Sequence, residues 1–508
     1  MPGPNYADEP REWIAIVGAT LIDGNGGAPV KDSVVLVHGD RIAAVGRGTS
    51  VELPDGARRI DARGKCLTPG FIDTNVCLSG VFIEQGPNGF AYEGTPLQTK
   101  NYSNYDLTLE GAQMQLKFGV TTVRNSYGAL IPLKQVRDAI ARGDVVGPRL
   151  LVAGNIVGWG GPYTVSFEWI KESLISPAEE HFNDFIAQGT GEELLEMYPE
   201  ELRAAINAYL DKGPDFIKYG GTTHIWYPIF ICFSDRAQRI LAEETHKRGL
   251  SIETHATSPE GLFMAIRAGI DLIQHPESLA ERPISDEIVN EIRARGITCS
   301  VIANEITGEE YRLHQQRMAE KDLSDAKPKP ERFSLRRVPP RSSSYAERRR
   351  EKQFGRTSVE MRRHNASKLI KAGCYVTVGS DNWMYFAPSA GRVVGFELNV
   401  PDSRLCQEPG IGTLMGIEGL VELGMTPAQA IVAVTRHAAR AARLEKSVGT
   451  IEKGKLADML LLDADPLADI SNIRRQSLVM KGGLVVDTAA LPTKPIFFKR
   501  SATESDFS

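Results

Sequence analysis

The sequence predicts an α/β protein in which a (β/α)8 barrel is inserted into a small composite β-sandwich domain. Three observations lead to this prediction. Apolar runs of strand length alternate with helical patterns through the middle of the chain, and antiparallel strand patterns occupy both ends. The length of 508 residues also exceeds the size at which one hydrophobic core keeps growing, so two structural units are expected.

Both ends of the chain show the same residue pattern, which predicts short antiparallel strands. Residues 13–70 contain short alternating runs such as WIAIVGATLI and SVVLVHG, separated by Gly, Asp and Asn turns, which is typical of antiparallel sheet. ADMLLLDAD and SLVMKGGLVVD repeat the pattern near the C-terminus. Neither end has enough strands for a core of its own. We therefore expect residues 1–70 and 446–508 to form one β-sandwich domain, with residues 71–445 inserted between them.

The middle of the chain contains eight strand candidates, most of them separated by helical patterns. Residues 234–249 and 285–296 each open on Ser-Asp and close on Gly, which are helix start and stop signals. Eight strands alternating with helices indicate a TIM barrel, whose chemistry lies at the carboxyl ends of the strands. The candidates are 71–78, 121–125, 149–155, 215–221, 251–256, 272–277, 298–304 and 375–381.

Polar residues end several of these runs. Lys218 lies in DFIKYGG, His255 in SIETHA and His275 in LIQHPE. Imidazoles at neighbouring strand ends suit a divalent metal, Zn²⁺ first and Co²⁺, Mn²⁺ or Fe²⁺ as alternatives. An ammonium has no lone pair, so Lys218 can join them only as a carbamate formed with carbon dioxide. Asp381, at the end of the eighth candidate, is placed to accept the proton of an attacking water.

The first strand ends in Asp73-Thr74-Asn75-Val76-Cys77. Residues two apart share a face of a strand, so Asn75 and Cys77 should point together toward the barrel mouth. Asn75 is either a metal ligand or a hydrogen-bonding residue beside the site. Cys77 is either a ligand or a small buried apolar residue. The histidines have an alternative too, as hydrogen-bonded core residues.

Aromatic residues are frequent in the segments that follow strands three, four and eight. Because βα loops build the pocket of a barrel, we expect a largely apolar, aryl-bearing small-molecule substrate. The alternative is that these rings only pack the loops together. His224 is a candidate catalytic residue that would polarise a substrate carbonyl. The candidate substrate contacts are Trp159, Tyr219, Trp226 and Trp383.

Composition and charge argue against several classes of partner. A net charge of −5 gives no reason to expect nucleic acid, and no apolar run approaches the about 18 residues of a membrane span. Six cysteines without a CxxC motif, and an N-terminus without an apolar signal core, favour a cytoplasmic protein. The charged insertion at 306–354 is either solvated, a lid, or an arm that contacts another subunit.

Together these motifs resemble the amidohydrolase superfamily of metal-dependent hydrolases, and within it the subgroup of phenylurea hydrolases and molinate hydrolase. The resemblance lies in GKCLTPGFID, GPRLLVAG, DFIKYGG, ETHA, IQHPE, GSDN and VGTIEKGKLADMLLLD. It implies that a carbamylated Lys218 bridges the metals, that His255 and His275 bind one of them, and that Asp381 is both base and ligand. It also implies a homo-oligomer.

The first strand departs from this family. Its pattern there is His-x-His, whereas this chain has Asn75-Val76-Cys77, which leaves one or two metals per chain as alternatives. The resemblance implies hydrolysis of an amide, urea or carbamate C–N bond by a metal-activated water, with an arylurea or thiocarbamate suiting the aromatic loops. The alternatives are an N-acyl amino acid hydrolase or peptidase of the same superfamily, and a catalytically dead scaffold. Retention of Lys218, His255, His275 and Asp381 argues against the scaffold.

Overall fold

The computed structural model describes residues 12–85, 89–92, 104–161, 164, 177–223, 229–279, 282–325, 356–385 and 405–492. Strands dominate both ends of the chain, and strands alternate with helices between them. The strands are β1 Trp13–Leu21, β2 Val30–His38, β3 Arg41–Arg47, β4 Arg58–Asp61, β5 Cys66–Pro69, β6 Phe71–Gln85, β7 Gly89–Tyr92, β8 Val120–Asn125, β9 Arg149–Val152, β10 Ile156–Val157, β11 Phe216–Gly220, β12 Ser251–His255, β13 Leu272–Gln274, β14 Thr298–Val301, β15 Tyr375–Val378, β16 Asn382–Tyr385, β17 Met459–Leu462, β18 Gln476–Lys481 and β19 Leu484–Val485.

The helices lie mostly between the parallel strands. A π-helical turn, Ala433–His437, joins the last two of them. The α-helices are α1 Asn104–Lys117, α2 Leu130–Arg142, α3 Pro177–Ala187, α4 Pro199–Leu210, α5 Asp235–Lys247, α6 Pro259–Ala268, α7 Asp286–Arg295, α8 Gly308–Asp325, α9 Arg356–Lys371, α10 Ile411–Glu422, α11 Pro427–Val432 and α12 Ala438–Ala441. The 3-10 helices are Gly48–Ser50, Glu192–Glu196, Ala303–Glu305, Leu405–Gln407 and Ile470–Arg474.

One eight-stranded sheet contains strands from both ends of the chain. Its order is β19-β18-β17-β5-β1-β2-β3, with β4 on β1. β17 pairs antiparallel with β5, and Leu461 lies opposite Leu67. One face buries a shared apolar cluster that includes Ile16 of β1 and Met459 of β17. The described strands of the two ends thus pair within one sheet.

Two further sheets are built from parallel strands. One has the order β10-β11-β12-β13-β14-β15, and the other has the order β16-β6-β8-β9 with β7 antiparallel on β6. The chain passes between them from β9 to β10 and from β15 to β16. Each of the eight predicted strands overlaps a described strand. The described ladders therefore form two parallel sheets of an α/β fold, and they do not close into one ring.

The largest apolar core lies between the parallel strands and their helices. Ile217, Ile252 and Ile273 of β11, β12 and β13 are fully buried in it, together with Leu241 of α5 and Leu262 of α6. Successive residues of a strand face opposite sides. The polar neighbours of these isoleucines in the sequence therefore face away from the helices, which brings polar side chains to the inner side of the sheets.

The predicted helix boundaries are confirmed. Ser234 precedes α5 and its Oγ accepts a hydrogen bond from the N–H of Ala237 at 3.2 Å. Ser285 caps α7 in the same way, and Gly296 ends that helix with a left-handed φ of 64°. In the charged insertion, α8 covers residues up to Asp325, and the remainder lies outside the described residues. No helix in the described ranges has the length and apolarity that a membrane span would need.

Candidate active site

The polar residues predicted at the strand ends converge in space. His255 ends β12 and His275 follows β13, and their imidazole rings lie 5.9 Å apart and nearly parallel, at 16°. Lys218 lies on the adjacent β11, and Asp381 lies between β15 and β16. The charge of Lys218 lowers the pKa of Asp381, so the two side chains lie within electrostatic reach of each other.

Asn75 and Asp381 are joined by two hydrogen bonds. The side-chain Nδ2 of Asn75 donates to Oδ1 of Asp381 at 3.0 Å, and the backbone N–H of Asp381 donates to the carbonyl of Asn75 at 2.8 Å. The other amide atom, Asn75 Oδ1, is buried and has no hydrogen-bond partner within the described ranges. A buried carbonyl oxygen without a donor is available to a cation.

The carboxyl group of Asp381 has a raised pKa. The pKa of its carboxyl is raised from 3.8 to about 6, mainly by burial and also by the charge of Glu305, against the lowering effects of Lys218 and the Asn75 hydrogen bond. A carboxyl group with this pKa is mostly ionised at pH 7 and can still hold a proton transiently. Perturbed carboxyl groups of this kind are concentrated at functional sites.

Two of the site residues have left-handed backbones. The φ angles are 36° at His275 and 53° at Asp381, a region that residues other than glycine rarely occupy. The N–H of His275 donates to the carbonyl of Ser300 at 2.7 Å, and the N–H of Asp381 is held by Asn75. Backbone strain of this kind persists where surrounding contacts impose it, and it is common at active sites.

The sequence analysis did not single out Asp73, which holds this arrangement together. Its Oδ2 accepts hydrogen bonds from Ser380 Oγ at 2.5 Å and Thr413 Oγ1 at 2.6 Å, and its Oδ1 accepts the N–H groups of Asn75 and Ser380, both at 3.1 Å. Asp73 thereby connects β6 to the residue preceding Asp381. The sequence did offer one sign of this role, a carboxylate within an apolar strand pattern. A buried carboxylate of this kind needs several hydrogen-bond donors around it.

Cys77 lies beside the site in an apolar environment. It belongs to a buried cluster with Tyr127, Ile156, Trp159 and Phe182. Burial raises the pKa of the Cys77 thiol well above its usual value, which favours the neutral form. A bound metal would itself lower this pKa, so Cys77 as a ligand and Cys77 as a small buried apolar residue both stay predictions.

Trp159 packs against one of the histidines. Its ring meets the imidazole of His255 edge-on, with centroids 4.5 Å apart and planes at 62°. A Cβ at Gly220 would lie only 2.0 Å from Trp159 Nε1, so glycine is required there for this approach. Trp159 is only 1% exposed, so its ring restricts the His255 ring, and its role as a substrate contact stays a prediction.

The position of Tyr219 corrects its prediction as a substrate contact. Its hydroxyl donates to Gln238 Oε1 of α5 at 2.8 Å, and its ring packs against Phe233. Strand alternation turns Tyr219 to the opposite face of β11 from Lys218. It is therefore a core residue between strand and helix.

Three other predicted residues cannot be placed in this site. His224 and Trp226 lie outside the described residues. The backbone of Trp383 lies on β16 opposite Cys77, and its side chain lies outside the described part of the chain. Their catalytic and substrate-binding roles stay predictions.

The donors at the site fit a divalent cation by their chemistry. Within the described ranges, no three His, Cys, Asp or Glu side chains are grouped closely enough to hold a metal. That criterion omits an amide oxygen and a lysine carbamate, which are both oxygen donors. The imidazoles of His255 and His275, the unbonded Oδ1 of Asn75 and Lys218 as a carbamate would together supply nitrogen and oxygen ligands of the types that zinc accepts.

The fold and this site define a class of protein. The sequence pattern of the Amidohydrolase family matches residues 66–486, so the chain belongs to the amidohydrolase family, whose members generally use divalent metals. This confirms the resemblance predicted from the motifs.

Individual relatives are similar over most of the chain or over a part of it. The structure of molinate hydrolase is 31% identical with a TM-score of 0.76, covering 96% of this chain and 97% of that one. Phenylurea hydrolase B is 28% identical with a TM-score of 0.79, covering 96% and 99%. A 5-methylthioadenosine/S-adenosylhomocysteine deaminase of Symbiobacterium thermophilum is 33% identical over 162 residues, which are 30% of this chain. That match spans only 35% of the deaminase's own length.

Proposed function

We propose that this protein is a metal-dependent hydrolase that cleaves an amide, urea or carbamate C–N bond of a largely apolar, aryl-bearing small molecule. The observation that carries the proposal is the convergence of Lys218, His255 and His275 with a carboxylate, Asp381, whose pKa is raised. Similarity over nearly the whole chain to molinate hydrolase and phenylurea hydrolase B supports an arylurea or a thiocarbamate as the substrate class.

The proposal includes the closed form of the fold. We propose that the two parallel sheets are parts of one (β/α)8 TIM barrel, joined through β9 with β10 and β15 with β16. Residues 1–70 and 446–508 would form the β-sandwich domain beside it. Parallel pairing of β16 with β6, and of β15 with β14, supports this arrangement, because the eighth strand then contacts both neighbours. We also propose a homo-oligomer.

His255, His275 and a carbamylated Lys218 would hold the cation, with Asn75 Oδ1 beside them. Zn²⁺ is the first candidate, and Co²⁺, Mn²⁺ and Fe²⁺ are alternatives. When bound, the cation supplies Lewis acidity to the scissile carbonyl and to the attacking water.

Asp381 moves the proton in the proposed mechanism. The Asn75 amide already donates to Oδ1, so Oδ2 is the oxygen that accepts the proton of the attacking water. The oxygen of that water adds to the carbonyl carbon, and the tetrahedral intermediate then breaks its C–N bond. Asp381 returns the proton to the departing nitrogen and regains its charge. The burial of Trp159 and Cys77 beside the histidines excludes bulk water from this side of the site.

The peptidase alternative requires a cation that binds a substrate carboxylate. Arg362 is a partly buried guanidinium near the strand ends, but Glu277 and Glu305 already bind it. Its charge is therefore neutralised within the protein. Arg362 therefore does not supply the carboxylate-binding cation that an N-acyl amino acid or a dipeptide would need.

The test is an assay of the full chain, with its metal content measured, on an arylurea, an aryl thiocarbamate, an N-acyl amino acid and an Xaa-Pro dipeptide. Release of the arylamine is expected from the arylurea and from the aryl thiocarbamate, without cleavage of the dipeptide. Asp381→Asn should retain the metal and lose about 10²- to 10⁴-fold in kcat. Asp211→Asn, at an exposed aspartate after α4, is the matched control and should leave kcat unchanged. Near-normal turnover by Asp381→Asn would discard Asp381 as the base, and a chain that binds no metal and cleaves nothing would favour the scaffold.

A further inference from the structure

A buried polar cluster lies inside the parallel strands, next to the candidate active site. Arg124 Nη2 of β8 donates to Glu253 Oε2 of β12 at 2.6 Å, and neither side chain is more than 1% exposed. Glu253 Oε1 accepts from Ser126 Oγ at 2.9 Å and from Gln274 Nε2 at 2.8 Å. Gln274 Nε2 also donates to the carbonyl of Thr74 at 3.0 Å. Every oxygen of the Glu253 carboxylate therefore has hydrogen-bond donors.

These hydrogen bonds connect the two parallel sheets. Arg124 and Thr74 lie on β8 and β6 of one sheet, whereas Glu253 and Gln274 lie on β12 and β13 of the other. The described backbone ladders do not join the two sheets. The side chains of Glu253 and Gln274 thus provide direct links between them across the interior.

The same residues adjoin the proposed metal ligands. Glu253 lies two positions before His255 on the same face of β12, and Gln274 immediately precedes His275. The carbonyl that accepts the hydrogen bond of Gln274 belongs to the residue before Asn75. The two histidines therefore come from one sheet and Asn75 comes from the other, with Glu253 bound to both sides.

We infer that Glu253 is a positioning residue, which sets the separation between the two histidines and Asn75 and thereby the affinity of the site for its cation. This inference rests on the proposed function. A buried ion pair generally adds no more stability than well-packed apolar residues of the same volume. Apolar residues in place of Arg124 and Glu253 would preserve the packing, but they would remove the acceptor that fixes Gln274 and Ser126.

A double variant, Arg124→Met with Glu253→Leu, tests whether Zn²⁺ affinity depends on the position of the ligands or only on the stability of the fold. The experiment measures the dissociation constant for Zn²⁺, by competition with a chromophoric chelator, and the urea midpoint of unfolding. The double variant should lower the urea midpoint no more than Asp458→Asn does, and it should bind Zn²⁺ at least about tenfold more weakly, as losses of outer hydrogen bonds to metal sites typically do.

Two further variants complete the experiment. Asp458→Asn disrupts a different partly buried ion pair, with Arg149 at 2.6 Å, and it should lower the urea midpoint while leaving Zn²⁺ affinity within about twofold. Gln274→Met removes the link to Thr74 and leaves the Arg124–Glu253 pair intact, so it should weaken Zn²⁺ binding even if the double variant does not fold.

The outcomes are distinct. Parental Zn²⁺ affinity in both the double variant and Gln274→Met would overturn the positioning role while leaving the proposed function standing. A parent chain that binds no Zn²⁺, Co²⁺, Mn²⁺ or Fe²⁺ would overturn the proposed function, and with it the role of Glu253. Equal weakening by Asp458→Asn would show that affinity follows overall stability, which also contradicts the inference.

Discussion

Two Arg–Glu pairs of this protein, one fully buried and one partly buried, differ in how completely their polar atoms are hydrogen-bonded. In the pair inside the strands, Glu253 accepts two hydrogen bonds on each carboxylate oxygen, and Arg124 also lies over the ring of Phe216 at 3.8 Å. In the pair near the strand ends, Arg362 Nη2 and Glu277 Oε1 are 3.5 Å apart. Glu277 Oε2 and Arg362 Nε have no hydrogen-bond partner within the described part of the chain.

One pair is fully hydrogen-bonded and therefore rigid, whereas the other leaves polar atoms without hydrogen bonds. A fully bonded buried network holds a single geometry, whereas each unsatisfied buried group costs about 1–3 kcal/mol. Glu277 follows His275 by two residues, and burial raises the pKa of its carboxyl. The interior pair therefore acts as a fixed support, and the pair near the strand ends tolerates polar atoms that water or a ligand can satisfy.

The largest expected effect is on the interior pair. Arg124→Met leaves the Glu253 carboxylate buried without its counter-charge, which should lower the free energy of unfolding by about 3–5 kcal/mol. Urea unfolding at pH 7 measures this value. A loss below about 1 kcal/mol would show that the Arg124–Glu253 pair contributes no more to stability than an exposed ion pair.

The corresponding change at the strand ends should be smaller. In Arg362→Met, the Glu277 carboxyl can take up a proton, because its pKa is already raised, so we expect a loss of about 1–3 kcal/mol in the same measurement. Arg295→Met is the control, since Arg295 pairs with Glu291 and both side chains are exposed. It should lose less than about 1 kcal/mol. A larger loss for Arg362→Met than for Arg124→Met would reverse the comparison.

The carboxyl group of Asp381 should make the stability of the protein depend on pH. Its carboxyl has a pKa of 3.8 when unfolded and about 6 when folded, so the folded chain binds the proton more tightly. Stability contributed by this group is complete below pH 3.8 and is lost as the pH rises through about 6. In the absence of metal, Asp381→Asn should therefore become more stable than the parent as the pH rises from 3.8 to about 6. The difference should stay below about 2 kcal/mol because Asp381 is partly exposed. A difference that does not change with pH would contradict the raised pKa.

The smallest effect is expected at a hydrogen bond remote from both pairs. Ser285 Oγ accepts from the N–H of Ile288 at the start of α7. Ser285→Ala should lower the free energy of unfolding by about 1 kcal/mol and leave Zn²⁺ affinity unchanged. This variant gives the scale for a single local contact. A change in Zn²⁺ affinity here would mean that affinity reports general stability.

The parts of the site that the sequence predicted follow from short-range periodicity. Lys218 lies within β11 and His255 ends the adjacent parallel strand β12, and both belong to apolar runs of strand length. The same rule corrects Tyr219, because the neighbour of an inward-facing residue must face outward. Periodicity did not identify Asp73, because its role depends on donors that are distant in the sequence.

The sequence by itself determined the family, the strands, the helix caps and the residues at the strand ends, because these depend on residues a few positions apart. Only the tertiary structure decided which polar groups meet. Asp73 meets Thr413 across 340 residues, and Arg124 meets Glu253 across 129. Only packing revealed that Cys77 lies in an apolar cluster. Such contacts depend on the three-dimensional arrangement of the sheets, since a buried charge can be stable only where folding brings its partners to it.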